Sequence, residues 1–176
     1  MRIVLIRHGR VLLDWAKSCD SAAFDRNNRL YDEAPIAPLP AMTIPIEKVY
    51  ISELPRTQAT AAFLTGKKSI EKTGLINEVP VGSFVDTKLR LPLWFWNAAW
   101  TIQWIRNAPR AREPRRETSR RVGAFIDLLS SRGEDCIVVG HGMYFYQMML
   151  ALRGRGFSGR IHRRMENGEV LEFEKD

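Results

Sequence analysis

The chain has 176 residues, 45% of them hydrophobic, which fits one domain over residues 1–176 with enough apolar material for a full core. Its net charge of +7 and sequence pI of about 9.8 favour an acidic ligand or partner. There is no run of about 18 apolar residues, so no membrane span is expected, and the two cysteines, far apart in sequence, read as reduced thiols rather than a disulfide.

The first expected strand, residues 2–7, is apolar and β-branched from Ile3 to Ile6, the pattern of a strand buried in a parallel sheet. It runs directly into Arg7-His8-Gly9, where a glycine lets the backbone turn close to a ligand. A guanidinium and an imidazole therefore reach the carboxyl edge of the sheet, where open α/β proteins place their ligands. With a strand in this position no signal peptide is expected, and a cytoplasmic location is expected. Cys19 is expected in an irregular segment. From Tyr31 to Ile46, prolines at 35, 38, 40 and 45 forbid a regular helix and predict a loop.

Val49 to Ile51 read as a second strand closed by Ser52. Pro55 then opens a helix, with Ala59, Ala62 and Phe63 at helical spacing and Gly66 as its stop. Arg56 falls in the first helical turn, beside free N–H groups that favour an anion; an ordinary surface arginine is the alternative. Residues 69–72 form a further strand. In 94–104, Trp96, Trp100 and Trp104 share one helical face. Packing onto a core is the favoured reading, with a lid over a ring-bearing ligand or a self-association face as alternatives; the chain is expected to be a monomer or a homodimer.

Arginines 106, 110, 112, 115, 116, 120 and 121 are interrupted by Glu113 and Glu117 and lead into an expected helix, Pro114 to Ser131. Its Val122, Phe125, Ile126 and Leu129 form a buried stripe, which makes the arginines a solvated face in preference to a nucleic-acid surface. Residues 135–140 form another buried strand, ending in Gly140-His141-Gly142, and the apolar run Met143 to Leu152 follows as a helix. Two of the chain's three histidines thus occupy strand-end, glycine-flanked positions. A lone histidine there usually packs or caps; two on one sheet, with an arginine at a third strand end, point to a site. Finally, 160–174 reads as a hairpin turning tightly at Asn167-Gly168, in type I′ geometry, with His162 exposed on the ribbon. The architecture expected is a three-layer α/β/α sandwich around a mainly parallel sheet, with strands near 2–7, 48–52, 69–72, 135–140 and 169–174.

Taken together, Arg7-His8-Gly9, the set Ser52, Arg56, Thr57 and Thr60, and the later His141-Gly142 resemble the histidine phosphatase, or phosphoglycerate-mutase-like, superfamily. The acid that this family carries between its two histidine motifs is best matched by Glu78, and the resemblance runs from residue 1 to about 152. It implies a metal-independent phosphomonoesterase without a cofactor, acting on a small phosphorylated substrate. His8 would be the nucleophile, its other ring nitrogen donating to a backbone carbonyl. Arg7, Arg56 and Gly142 would bind phosphate, the two arginines through forked, charge-assisted bonds. His141 would stabilise the transferring oxygens, and Glu78, with a pKa raised by its surroundings, would protonate the leaving oxygen.

Arg10, Asp14 and Ser52 are candidate substrate contacts. Arg10, Val11 and Asp14 stand where the family often carries an acid or amide, a small hydroxylated residue and an asparagine, and Arg10 is expected to pair with Asp14. The prolines at 35–45 replace a helix usual in the family, and segment 91–113 is expected over or near the active site. A phosphoglycerate-mutase-type phosphotransferase and a non-catalytic phosphate-binding module are the alternative functions. All of these expectations require the His8 ring to face an oxyanion held by two guanidiniums and to be open to solvent.

Overall fold

A computed structural model describes residues 1–175. The opening strand β1 (Arg2–Arg7) is followed by the short β2 (Ser18–Cys19) and by α1 (Ser21–Glu33). β3 (Lys48–Ile51), α2 (Pro55–Ala61) and β4 (Ser69–Lys72) come next, then a 3₁₀ turn, Gly74–Ile76. The second half holds β5 (Leu91–Pro92), α3 (Leu93–Ile105), α4 (Arg115–Arg132), β6 (Cys136–Gly140) and α5 (Gly142–Gly154). β7 (Ser158–Gly159) and β8 (Val170–Glu174) end the chain.

The main sheet has the order β4-β3-β6-β1-β8-β7. β4, β3, β6 and β1 are parallel, and β8 and β7 add antiparallel partners at one edge. Because successive strand residues point to opposite faces, β1 feeds two cores. Ile3 and Leu5 pack with Val122, Phe125 and Ile126 of α4 and Tyr144, Phe145 and Met148 of α5. Val4 and Ile6 pack on the other face with Ile137, Val139, Ala61 of α2 and Leu64. Both faces of the central strands are covered, which is why their sequences are apolar without alternation. This is the α/β phosphoglycerate-mutase-like architecture expected from the sequence.

Several local expectations are corrected. Cys19 is not in an irregular segment: it is buried in β2, paired with Leu91 of β5. The helix opened by Pro55 stops at Ala61, before Phe63 and Gly66, because the chain there turns to pair with Met42. The loop predicted for Tyr31 to Ile46 begins only at Ala34. Tyr31 to Glu33 complete α1, whose N-terminus is capped by Asp20 through a 2.8 Å bond from the Ala23 N–H. At the C-terminus, Asn167-Gly168 makes no type I′ hairpin turn. Glu166–Glu169 is closed by a 3.1 Å backbone bond with positive φ at Gly168 alone, the type II pattern, and β8 pairs instead with β1 and β7. Nor is His162 simply exposed, since its Nδ1 lies 2.6 Å from Glu169 Oε1.

The tryptophan stripe packs inward. Trp96 stacks on Phe24 and donates to the Cys19 carbonyl, while Trp100 and Trp104 pack on Val79 and Met143. Of the arginine cluster, Arg121 departs from a solvated face. It binds both oxygens of Glu113 and donates to the carbonyls of Gly74, Leu75 and Asn77, bracing the segment that carries Glu78.

Candidate active site

Three strand ends meet at the carboxyl edge of the sheet. β1 delivers Arg7 and His8, β3 delivers Ser52 ahead of α2, and β6 delivers His141 ahead of α5. The His8 and His141 rings lie 5.1 Å apart. His8 Nδ1 is 2.8 Å from the Gly9 carbonyl, which places the proton on Nδ1 and leaves Nε2 with its lone pair free. Burial first, then the charges of Arg56 and Arg7, push the His8 pKa down to about 3. His141 is lowered well below its ordinary value by the same causes, burial foremost. Both rings are therefore neutral near pH 7.

The glycines around these residues have separate tasks. A Cβ on Gly140 would stand 2.7 Å from Phe145 Cζ, so this glycine admits the α5 core. A Cβ on Gly142 would stand 3.3 Å from Arg7 Cζ, so this one admits the guanidinium beside the α5 N-terminus. The Gly9 N–H donates to Thr60 Oγ1 at 2.9 Å, and Thr60 in turn donates to the Arg56 carbonyl at 2.8 Å. The α2 motif thus ties the His8 loop to Arg56.

Ser52, a candidate substrate contact from the sequence, is fully buried and engaged within the protein. Its Oγ lies 2.8 Å from His141 Nε2 and 3.0 Å from Thr57 Oγ1, and it accepts from the Leu54 N–H. It orients His141. Arg10 and Asp14 form no ion pair with each other among the described residues. The proline loop is strapped over that stretch by bonds from Ala37 N to the Arg10 carbonyl and from Leu12 N to the Pro35 carbonyl, and Ile36 packs against Gly9.

Glu78 stands at the start of α5. It accepts from the Tyr144 and Met143 N–H groups at 3.1 and 3.4 Å, and from its neighbour Val79 at 3.0 Å. His141, the N-cap residue, offers no side-chain cap, so the Glu78 carboxyl takes that part. Burial raises its pKa despite these donors and the Arg56 charge. A cleft of about 320 Å³ opens beside it, lined by Tyr31, Asp32 and Arg29 of α1, the Val79–Val81 wall, Arg112 and Glu113.

Three buried nitrogens at this edge find no partner in the protein: Arg7 Nε, Arg56 Nε and His141 Nδ1. An unsatisfied buried donor costs about 1–3 kcal/mol, so their concentration here is a standing attraction for an acceptor with several oxygens. Sequence reasoning missed what covers and steadies them. Tyr31 packs edge-on to His8 at 6.4 Å with the Arg56 guanidinium 5.1 Å from its ring, and Asp32 holds Arg56 Nη1 at 2.8 Å. His8 is only 2% exposed, against the expectation of an open imidazole. Tyr31, which packs against His8, also lines the cleft. The Asp20 cap and the Ala34-Pro35 stop were the signals that could have placed α1 and these two residues. The turn at 166–169 was placed by sequence, but its contacts with the His8 loop were missed. Asn167 Nδ2 donates to the His8 carbonyl at 2.9 Å, Gly168 N donates to the Arg7 carbonyl, and Arg7 Nη1 donates to the Met165 carbonyl.

A family profile described as histidine phosphatase superfamily (branch 1) matches residues 3–176. The chain belongs to the histidine phosphatase superfamily. Membership supports reading it as a phosphatase. A comparison with curated protein sequences found no match. Solved structures of similar fold include an Escherichia coli protein assigned as an alpha-ribazole-5'-P phosphatase, at 22% identity and a TM-score of 0.66, covering 100% of this chain and 91% of that one. The alpha-ribazole phosphatase of Shigella flexneri matches at 18% identity and 0.64, with coverage of 100% and 91%. A phosphoserine phosphatase of Entamoeba histolytica matches at 15% and 0.56, with coverage of 97% and 89%. Among the described residues of this histidine phosphatase, no three His, Cys, Asp or Glu side chains gather so as to hold a metal ion. None of the helices among the described residues is long and apolar enough to cross a membrane.

Proposed function

We propose that this protein hydrolyses a small phosphomonoester through a phosphohistidine formed on His8, without a metal. The observation that carries the reading is the trio of partnerless buried nitrogens, Arg7 Nε, Arg56 Nε and His141 Nδ1, beside a neutral imidazole. A phosphoryl group brings about two negative charges and three acceptor oxygens, which is what that trio lacks. In the tautomer in which His141 Nε2 accepts from Ser52 Oγ, the ring proton sits on Nδ1, and Nδ1–H donates a hydrogen bond to a phosphoryl oxygen.

The His8 Nε2 lone pair attacks phosphorus in line, the P–O bond to the alcohol breaks, and Glu78 protonates the departing oxygen. Glu78, now ionised, takes a proton from the water that attacks the phosphohistidine, releasing phosphate and restoring the free imidazole. The alcohol portion occupies the cleft beyond Glu78, between the Val79–Val81 wall and the cations Arg29 and Arg112. Entry of the phosphoryl group requires the Tyr31 ring to move aside. Alpha-ribazole-5'-P, phosphoserine and glucosyl-3-phosphoglycerate, named for the phosphatases of similar fold, are phosphomonoesters of the size to test first.

Screening a panel of phosphomonoesters, with acid and alkaline quenches compared, tests this directly. Turnover with an acid-labile, alkali-stable phosphoenzyme, absent in His8→Ala, is expected. Turnover that persists in His8→Ala would falsify the assignment of the nucleophile. Phosphate binding without turnover on any ester would identify a binding module instead.

A further inference from the structure

Helix α3 is apolar on both faces and buries only one. Trp96, Trp100 and Trp104 face the core, while Trp94, Ile102 and Ile105 are 69%, 52% and 48% exposed. At 100° per residue Trp94, Phe95, Ala98, Ile102 and Ile105 fall within about 120° of the helix surface, opposite the tryptophan stripe. Leu89, just ahead of β5, adds a further apolar side chain at 64% exposure. Six of the twelve large exposed hydrophobic residues lie between Val85 and Ile105, so the patch is concentrated and not scattered.

Charge decides what such a face fits. The stretch from Thr87 to Arg112 carries five basic residues, at 88, 90, 106, 110 and 112, and no acid. Lys88 and Arg90 lie at the N-terminal end of α3 and Arg106 at its C-terminal end, and none of the three forms an ion pair among the described residues. Lys17 joins the N-terminal group, since its carbonyl accepts from the Leu93 N–H. Arg110 and Arg112 are the exceptions, paired with Asp86 and Asp25. Arg90 Nη2 donates to the Ser18 carbonyl at 2.8 Å and has no acidic partner among the described residues. An apolar stripe with tryptophan, flanked at both ends by cations without acidic partners among the described residues, on a chain of net charge +7, matches the chemistry of an anionic lipid surface. A second copy of this chain fits worse, because a two-fold contact would set the same cationic rim against itself.

We propose that the outer face of α3 docks the protein on anionic bilayers, with Trp94, Ile102 and Ile105 entering the interface and Lys88, Arg90 and Arg106 meeting the headgroups. The inner face of the same helix packs on Val79, a wall residue of the cleft. Docking therefore holds the cleft about one helix diameter, roughly 10 Å, from the lipid surface. This inference stands apart from the chemistry at His8, and its readout needs no turnover.

Cosedimentation of the full chain with vesicles tests it, comparing pure phosphatidylcholine with phosphatidylcholine containing about 30% phosphatidylglycerol. Partitioning onto the anionic vesicles is expected to exceed that onto the neutral ones by about tenfold or more, and to fall about tenfold in Ile102→Glu/Ile105→Glu. A second variant, Arg90→Gln/Arg106→Gln, leaves the apolar stripe intact and is expected to erase the preference for anionic vesicles. Far-UV circular dichroism and the melting temperature show that each variant folds. Equal partitioning of wild type and Ile102→Glu/Ile105→Glu, or no binding at all, overturns the proposal. So does a dimer in sedimentation velocity that the same variant dissolves, which would make the face a contact between copies.

Discussion

Arg56 donates from Nη1 to Asp32 Oδ1 at 2.8 Å, with the guanidinium buried and the carboxylate half exposed at the cleft. Asp32 thus holds the group that a phosphoryl oxygen needs, and its own charge repels a dianion. In Asp32→Asn the shape is kept and the repulsion lost, worth about 1 kcal/mol at an effective surface dielectric. Inorganic phosphate should then inhibit about three- to tenfold more tightly, read as a competitive inhibition constant. Arg56→Lys forfeits the forked geometry and should lower kcat/KM by about a hundredfold or more.

Asn167 acts on the nucleophile without touching substrate. Its amide donates to the His8 carbonyl at 2.9 Å, in a turn that also binds the Arg7 backbone. The neighbouring Gly9 carbonyl fixes the His8 tautomer, so loosening this backbone disturbs which nitrogen attacks. Asn167→Ala should lower kcat about tenfold with KM little changed, because phosphate binding rests on other residues. A purely structural loss would appear instead as a lower melting temperature at unchanged kcat.

Gly140 and Gly142 flank His141 and separate stability from function. Gly142→Ala brings a methyl to 3.3 Å from Arg7 Cζ and Nε, where the guanidinium must shift. Misplacing a phosphate-binding group by a fraction of an ångström should cost about tenfold or more in kcat/KM, with a near-normal melting temperature. Gly140→Ala meets the Phe145 ring at 2.7 Å in a packed core and should lose about 1–3 kcal/mol of stability, read by chemical denaturation.

The strand ends were legible because each couples a buried, β-branched run to an unusual polar residue. Ile3–Ile6 before Arg7-His8 and Cys136–Val139 before His141 carry both signals in adjacent positions. Glu78 needed the family pattern, since nothing local shows that it caps α5 from another element. Tyr31 and Asp32 were hidden by the prolines that begin at Pro35, which drew attention away from the helix ending just before them. Asn167 was misread because Asn-Gly favours a type I′ hairpin on local grounds, whereas here its side chain is claimed by the His8 carbonyl from a strand 159 residues away in sequence. Burial of His8 had no sequence signal, because it depends on side chains brought to it from elsewhere in the chain, Tyr31 of α1 and His141 among them.

Glu78 gives the last test through its proton. Burial raises its pKa above the ordinary carboxylate value, so it stays protonated to higher pH than a free glutamate. If it is the acid, activity must fall as pH rises through that raised value, and Glu78→Gln must lack this limb. The variant should be about a hundred- to ten-thousandfold slower on alkyl phosphates, and less impaired on aryl phosphates, whose leaving groups need no proton. The same shift bears on stability with a definite sign. A proton bound more tightly in the folded state contributes fully below the unfolded-state pKa, and that contribution is lost as pH rises through the folded-state value. The melting temperature of wild type should therefore decline over that interval relative to Glu78→Gln. Parallel melting curves, together with an unchanged alkaline limb in the variant, would place the proton donor elsewhere.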